Sequence, residues 1–222
     1  MRAGDRLVGS DNKEVMLFPL QYMYISQGEG GSYSHAGTYN IDFMGWGLNG
    51  RVYNCPYYAP CSCTCVWAGG SDNIRIFQSN TEVHRIDGTF GYVTFLFMHD
   101  NNPIASVGDR FTQGDLIGHT GTAGNVTGDH VHYNVAKGRY AGTEHVPPDN
   151  QYQLVNSAHI YNVCAINYTD IANGYGYNWR LYQGGHYPTV TVKKNRFKWV
   201  LYANKLRSKR NTSYWHFIYN MI

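Results

Sequence analysis

The stretch that decides the fold is Gly124-Asn125-Val126-Thr127-Gly128-Asp129-His130-Val131-His132-Tyr133. It passes from a turn-prone, glycine-containing half into β-branched and aromatic residues, which predicts a strand over His130–Val135. Residues two apart in a strand project from the same face, so the imidazoles of His130 and His132 would share one side. Both could then contact one metal ion, or one could bind a metal while the other acts as an acid or base.

Five further runs of this kind lie upstream, each rich in β-branched or aromatic residues and bounded by Gly, Asn, Asp or Pro. They are Met16–Leu20, Tyr39–Phe43, Cys61–Ala68, Asn73–Gln78 and Tyr92–Met98. Few helical periods separate them, and 25 Gly and 20 Tyr among 222 residues are typical of strands joined by tight turns. The sequence therefore predicts a mainly β body, and it predicts a surface loop over Tyr140–Gln153, which contains Pro147-Pro148.

Charge is divided unevenly along the chain. The net charge is −6 up to Asp170 and +9 from Ile171 onward, where Asp and Glu are absent. A basic appendage on an acidic body favours an anionic partner (nucleic acid, a phosphate-rich polymer or an acidic protein), and a solvated tail without a partner is the alternative. Met1 to Asn12 lack an apolar run and no stretch reaches the ~18 apolar residues of a membrane span, so we expect a soluble chain made inside a cell.

The cysteines do not by themselves indicate a metal site. Cys61, Cys63 and Cys65 recur with a period of two, which places their thiols on one face of a strand. A structural zinc site usually takes four ligands from at least two segments, and neighbours on one strand face are poorly placed to form a disulfide. We therefore expect buried, small hydrophobic side chains here, and the roles of Cys55 and Cys164 stay open.

Three residues elsewhere could join the two histidines in a metal site. His35 precedes a strand-like segment that ends near Asp42, so both could converge with His132, and His99 closes the aromatic run that ends at Met98. Two imidazoles and one carboxylate leave one position of a tetrahedral zinc ion open, which is typical of a catalytic site, where zinc lowers the pKa of water to about 7. Taken singly, each residue is better explained as an ordinary turn, loop-capping or surface residue.

Taken together, these motifs resemble the lysostaphin-like zinc peptidases (peptidase family M23). The resemblance covers about residues 20–140 and rests, in the family's order, on Ser34–Phe43, Pro56–Pro60, Val107–Asp109, Gln113–Gly118, Thr120-Gly121 and Gly124–Tyr133. Within the family, the chain is most similar to the peptidase domain of the tail-knob protein of short-tailed phages of Gram-positive bacteria. That likeness rests on Ile25–Glu29, Tyr57–Cys61, Cys63–Trp67, Gly118–Gly121, Gly142–Glu144 and Asn173–Tyr177.

The resemblance implies a particular architecture and a set of residue roles. It implies an antiparallel β-sheet groove, with a lead segment at 1–20, a zinc endopeptidase domain at 21–160 and a basic, Tyr-rich extension at 161–222. It also implies that one Zn²⁺ is bound by three ligands while two further histidines flank its open position as acid–base and transition-state-stabilising groups. The ligands would be His35, Asp42 and His132, and the flanking groups His99 and His130.

The implied substrate is bacterial peptidoglycan, cleaved at an amide bond of its stem peptide or cross-bridge. The implied setting is a phage virion assembled in the host cytoplasm, whose tail tip opens the cell wall for genome ejection. Other tail proteins would be partners, and the basic extension would adhere to anionic wall polymers or to acidic tail proteins. Three alternatives remain: an inactive tail-tip plug with the same fold, a wall-binding module, and a nucleic-acid binder acting through the basic extension.

Overall fold

The computed structural model describes residues 1–148 and 150–167 and the backbone of residues 170–171. Residues 172–222 lie outside this description, and with them the predicted basic segment and the Asn173–Tyr177 motif. The strands, numbered along the chain, are β1 (Tyr22–Met23), β2 (Ile25–Gln27), β3 (Ile41–Phe43), β4 (Trp46–Gly47), β5 (Gly50–Arg51), β6 (Pro56–Tyr58), β7 (Cys63–Gly69), β8 (Ile74–Ser79), β9 (Val83–His84), β10 (Phe90–Gly91), β11 (Val93–Met98), β12 (Arg110–Phe111), β13 (Leu116–His119), β14 (Val131–Lys137), β15 (Thr143–Val146), β16 (Gln151–Leu154) and β17 (Asp170–Ile171); a short helix, α1, spans Ile160–Val163.

A seven-stranded sheet of order β12-β7-β8-β11-β14-β3-β2 forms the centre of the fold. Every neighbouring pair in it is antiparallel, so the predicted mainly β, antiparallel architecture is confirmed. All six residues of β11 are buried, as are the first six of β14. Strands buried on both faces have no polar side to present, which explains why β11 reads as a continuous apolar run rather than an alternating one.

Two apolar clusters cover the two faces of the sheet. Stacked and edge-on rings fill the larger cluster, with centroids 5.5 Å apart for Phe77 and Phe95 and 4.9 Å apart for Phe97 and Tyr133. Ile76, Leu96, Met98 and Leu154 form the cluster on the opposite face. Because Leu154 belongs to β16, the hairpin of β15 and β16 is the element that closes this second face.

That hairpin corrects the predicted surface loop over Tyr140–Gln153. β15 and β16 pair antiparallel, with Thr143 opposite Leu154 and Val146 opposite Gln151. Pro147 and Pro148 occupy the turn between the two strands, where a missing N–H removes no bond from the sheet. The prolines indicated a turn correctly, but the strands on either side of it went unrecognised.

The segment 1–20 is packed into the body of the fold. Met16, Phe18 and Leu20 are at most 1% exposed, and the ring of Phe18 packs edge-on against Phe43 with centroids 4.9 Å apart. The strand predicted over Met16–Leu20 is wrong, since Leu17 forms only an isolated bridge with Ala165. The backbone of Met16–Leu20 bonds instead to separate segments. The N–H of Met16 donates to the carbonyl of His84, and the N–H of Phe18 donates to the carbonyl of Ala165.

All five cysteines are free, and all but Cys55 are buried. Cys61, Cys63 and Cys65 are at most 1% exposed within the larger apolar cluster, which confirms that they are buried small side chains. Cys164 is buried beside the hydroxyl of Tyr133, 3.6 Å away, and burial raises the pKa of its thiol to about 12. Protonated thiols in an apolar core are poor nucleophiles and poor metal ligands. In the described part of the chain, no helix has the length and apolar character needed to cross a membrane.

Candidate metal centre

The register of two central strands builds the centre. β14 pairs with β3 so that His132 lies directly opposite Asp42. Side chains opposite each other in an antiparallel pair project from the same face and are close enough to touch. Accordingly, Nδ1 of His132 lies 3.0 Å from Oδ1 of Asp42, and both residues are buried.

His35 enters the same cluster from the loop that precedes β3. Its Nε2 lies 3.3 Å from Oδ1 of Asp42, and its ring packs edge-on against that of His132 with centroids 5.0 Å apart. The loop fixes His35 by two backbone bonds, from its N–H to the carbonyl of Gly31 and from the N–H of Thr38 to its carbonyl. His35 is 1% exposed and is the most deeply buried of the three residues.

The protonation state of the cluster follows from its hydrogen bonds. Nδ1 of His35 lies 3.2 Å from the carbonyl oxygen of Gly28, which can only accept, so Nδ1 carries the proton and Nε2 presents a lone pair to Asp42. Burial alone would raise the pKa of Asp42, but the hydrogen bond and charge of His132 and, when its Nε2 is also protonated, those of His35 outweigh burial and hold that pKa well below its ordinary value. A carboxylate therefore faces an imidazole lone pair, and a cation or a proton between them would relieve the repulsion.

The cluster has the properties of a site for a divalent metal ion. Ligand atoms of His35, Asp42 and His132 all lie within 4.8 Å of one another, and all three residues are buried. Two bonds of about 2.0–2.1 Å at a tetrahedral angle separate their ligand atoms by about 3.3 Å, which matches the observed His35–Asp42 distance of 3.3 Å. Among the described residues, Nε2 of His35 has no hydrogen-bond partner although it is buried. Two imidazoles and one carboxylate fit zinc with one position left open.

Two further histidines border this cluster. Nε2 of His130 lies 3.6 Å from Oδ1 of Asp42, and the rings of His130 and His99 have centroids 4.7 Å apart. Each contacts a backbone carbonyl through Nδ1, His130 at 2.7 Å from Gly128 and His99 at 2.8 Å from Ala123. Both rings therefore carry the proton on Nδ1 and leave Nε2 as a proton acceptor.

His99 is held in an unusual backbone conformation. Its φ of 80° lies in the left-handed region, which non-glycine residues rarely adopt. Two backbone bonds impose it, from its N–H to the carbonyl of Asp72 at 2.8 Å and from the N–H of Ala123 to its own carbonyl at 3.0 Å. A Cβ on Gly121 would lie 2.2 Å from the His99 carbonyl oxygen, so glycine is required where this loop passes His99.

The environment of His99 keeps its imidazole neutral. Burial, and after it the neighbouring imidazoles of His132 and His130, lower the pKa of His99 to about 4. A histidine with this pKa stays neutral throughout the neutral pH range, so its Nε2 is available to accept a hydrogen bond.

A cleft of about 1010 Å³ gives solvent access to the centre. Asp42, His99, His130 and His132 form its floor. Its walls come from the loop over 31–34, the β15–β16 hairpin and the loop over 125–130, and include Tyr33, Asp72 and Tyr152. The cleft is therefore at the upper end of the ~300–1,000 Å³ range of ligand sites, and three histidines of the centre line it.

The structure brings all five predicted site residues together, although one lies outside its predicted element. β14 begins at Val131, so His130 lies just before the strand, bridged to Gly121, and not within it. Sequence reasoning missed Asp72, whose Oδ1 lies 3.9 Å from Nδ1 of His99, and the contact of Gln27 with Asp42. No motif marks Asp72, and the Ile25–Glu29 motif contains Gln27 without indicating its contact with Asp42, because both residues reach the centre only through the order of strands in the sheet.

Comparisons with known proteins return a phage protein and several peptidases. No family model matches the chain. It is 42% identical over 173 residues to Morphogenesis protein 1 of Bacillus phage B103, an alignment that covers 78% of this chain and 46% of that protein. The chain thus spans about half the length of the curated relative it matches.

Solved structures give lower similarity. The chain is 26% identical to the catalytic domain of the antimicrobial peptidase lysostaphin from Staphylococcus simulans, with a TM-score of 0.37 and coverage of 52% of this chain and 77% of that chain. For a zinc-containing peptidase from Vibrio cholerae the identity is 14%, the TM-score 0.40, and the coverage 66% of this chain and 44% of that chain.

The chain resembles the lysostaphin-like zinc peptidases. The motifs that carry the resemblance are the segments that build the centre. Ser34–Phe43 supplies the loop and strand of His35 and Asp42, and Gly124–Tyr133 supplies the loop and strand of His130 and His132. The glycines between these motifs include Gly121, which lies against the backbone of His99.

Proposed function

We propose that the chain is a phage-associated peptidoglycan endopeptidase that depends on zinc. The observation that carries the proposal is the convergence of His35, Asp42 and His132 in one buried cluster at the base of an open cleft. These three residues would hold the metal, and His99 and His130 would act beside it. The phage relative supports a virion protein, and the resemblance to lysostaphin-like peptidases supports a cell-wall substrate.

The metal would supply Lewis-acid chemistry, polarising the scissile carbonyl and lowering the pKa of a water molecule. The chain's own residues supply the proton transfers. His130 has Nδ1 fixed on the Gly128 carbonyl, so its Nε2 is free to take a proton from the attacking water and to return one to the leaving amine. His99 lies next to it in the same tautomer and, with its pKa of about 4, remains a neutral hydrogen-bonding group at pH 7.

The shape of the cleft suits a short, unbranched peptide. Stem peptides and cross-bridges of peptidoglycan are rich in glycine or D-residues and can lie extended along a groove between loops. Tyr33 and Tyr152 on the walls offer aromatic surface, and Asp72 offers a carboxylate beside His99. Binding across this length would orient one amide over the histidines, which is where most of the rate gain from proximity arises.

The setting of this activity is part of the same proposal. The enzyme would be carried at the tail tip of a virion assembled in the host cytoplasm, and it would open the host wall during genome ejection. Other tail proteins would be its partners. The basic residues that follow Ile171 would adhere to anionic wall polymers.

Purified cell walls provide the test. The full chain, loaded with zinc, should release peptide fragments from walls of a susceptible Gram-positive species, a chelator should stop the release, and added zinc should restore it. Asp42→Ala should be inert, whereas His84→Ala, remote from the cleft on β9, should match the unaltered chain. Zinc binding without cleavage of walls from several species would instead favour the inactive tail-tip plug.

A further inference from the structure

Three consecutive residues, Gln27-Gly28-Glu29, contact the candidate centre from outside its ligand set. Gln27 ends β2 and is paired in register with Asp42 of β3. Each of the three makes a different contact, and two of these contacts reach metal-ligand candidates directly. None of the three has a place in the chemistry described above.

Gln27 orients the carboxylate of Asp42. Its Nε2 lies 3.1 Å from Oδ2 of Asp42 and 2.8 Å from Oγ of Ser34, while its Oε1 accepts a bond of 3.0 Å from the N–H of Ser34. Because a backbone N–H can only donate, this last bond fixes which end of the amide is oxygen, so Nε2 must be the end facing Asp42. Oδ2 is thereby occupied, and Oδ1 is left for His35 and His132.

Gly28 orients the ring of His35. Its carbonyl oxygen lies 3.2 Å from Nδ1, which places the proton on Nδ1 and the lone pair on Nε2, the atom that faces Asp42. The position of this one carbonyl therefore decides both the tautomer and the direction of a ligand candidate.

Glu29 anchors the segment to the far side of the fold. Its carboxylate contacts Nδ1 of His159 and accepts a bond of 3.1 Å from the N–H of Ile160, at the start of α1. The ring of His159 is itself held between Tyr161, stacked at 4.6 Å, and Tyr39, edge-on at 4.7 Å. The Gly28 carbonyl thus lies between two fixed side chains.

We propose that Gln27-Gly28-Glu29 is a positioning segment for the zinc ligands, in which Gln27 directs Oδ1 of Asp42, Gly28 directs Nε2 of His35 and Glu29 holds both in place. The inference rests on the proposed function, because it assigns these residues to the same metal. Zinc affinity would then be set partly by groups that never touch the ion. Residues of this kind typically contribute 10–100-fold to metal affinity.

Zinc affinity of the purified full chain, measured by competition with a chromogenic chelator at pH 7, tests the segment without any activity assay. Gln27→Met preserves length and removes the donor to Asp42, so we expect its affinity to fall by roughly 10–100-fold. Gln153→Met is the matched control. Gln153 is buried and, like Gln27, bonded at both ends of its amide, to the N–H of Tyr39 and to Glu144, but it does not contact the cluster. A purely structural role predicts lower metal-free melting temperatures in both variants and unchanged zinc affinity in both.

Each outcome separates this inference from the proposed function. Unchanged affinity in Gln27→Met, with zinc bound normally by the unaltered chain, overturns the positioning segment and leaves the proposed function intact. Failure of the unaltered chain to bind zinc overturns the proposed function itself. Should Gln27→Met not fold, Glu29→Gln serves in its place, since it leaves every atom around Asp42 unchanged. Its expected loss is roughly threefold to tenfold, and unchanged affinity overturns the inference.

Discussion

The two halves of the candidate centre are built by different means. Asp42 and His132 face each other across paired strands in the middle of the sheet, and His35 is buried beside them. His99 and His130 lie outside the strands, each held by one backbone carbonyl, and His99 adopts a left-handed backbone. The sheet register therefore places two of the three candidate ligands, Asp42 and His132, whereas loops place His35 and the two bordering histidines. We expect the groups placed by the register and those placed by loops to respond differently to mutation.

Removing a residue held by the register should have the largest effect. In His132→Ala one of three ligands is lost and the Asp42 carboxylate loses its closest partner. We expect zinc content to drop to background and wall lysis to disappear, as measured by metal analysis and by release of wall peptides. Full lytic activity in His132→Ala would refute its assignment as a ligand.

Removing a residue held by the loops should separate metal binding from turnover. In His130→Ala and His99→Asn we expect about one zinc per chain to remain while the rate of wall hydrolysis falls by roughly 10²–10⁴-fold, the usual contribution of a positioned acid or base. Asparagine is chosen at position 99 because it tolerates a positive φ better than alanine does. Loss of the metal in His130→Ala would exchange its role with that of a ligand.

A crowded glycine offers a subtler test of the loop half. In Gly121→Ala the new Cβ would lie 2.2 Å from the His99 carbonyl oxygen, so the His99 backbone must shift. We expect a loss of about 1–3 kcal/mol in the free energy of unfolding, together with reduced lysis at normal zinc content. Urea denaturation and metal analysis measure these quantities.

Gly128→Ala, in the same loop, is the control for that test. Its Cβ would meet Arg51 at an ordinary 3.6 Å, so its stability should change by less than about 1 kcal/mol. Equal losses in the two variants would show that the approach of Gly121 to His99 is not what fixes this loop.

The pH dependence of stability tests the burial of His99, a loop-held histidine whose pKa is lowered. Because the pKa of His99 is about 4 in the folded chain and 6.5 in an unfolded one, the unfolded state alone takes up this proton between those values. The free energy of unfolding of the metal-free protein should therefore decrease as pH falls from 6.5 to 4, with on the order of 3 kcal/mol due to His99. In His99→Asn the free energy of unfolding, measured by urea denaturation, should therefore vary less with pH between 6.5 and 4. An unchanged pH dependence would contradict the burial of the His99 imidazole.

What the sequence could predict depended on whether the signal was local. Alternating and apolar runs located β3, β7, β8, β11 and β14 to within about two residues, and the order of motifs led to all five histidine and aspartate positions. The hairpin of β15 and β16 was missed because both strands are only four residues long and mostly polar, so the adjacent prolines were the stronger signal and indicated a loop. Met16–Leu20 has an apolar strand-like composition, yet its partners at His84 and Ala165 belong to distant segments that pair with it one residue at a time.

The contacts that hold the site residues in place could not be predicted from local sequence patterns, for the same reason. Gln27 reaches Asp42, and Asp72 reaches His99, through strand order and register, which are properties of the assembled sheet. The left-handed φ of His99 likewise results from bonds to Asp72 and Ala123 and not from its own residue type. Sequence patterns thus identified the candidate site residues, and the contacts that hold those residues became visible only in the assembled sheet.

The most direct test of the account is X-ray absorption at the zinc edge on the full chain loaded with one equivalent of zinc. The account predicts nitrogen and oxygen ligands at about 2.0–2.2 Å, including two imidazoles, and loss of that signal in Asp42→Ala. Sulfur ligands at about 2.3 Å would place the metal on cysteines, and an unchanged spectrum in Asp42→Ala would place it elsewhere. Either result would contradict a zinc centre formed by His35, Asp42 and His132.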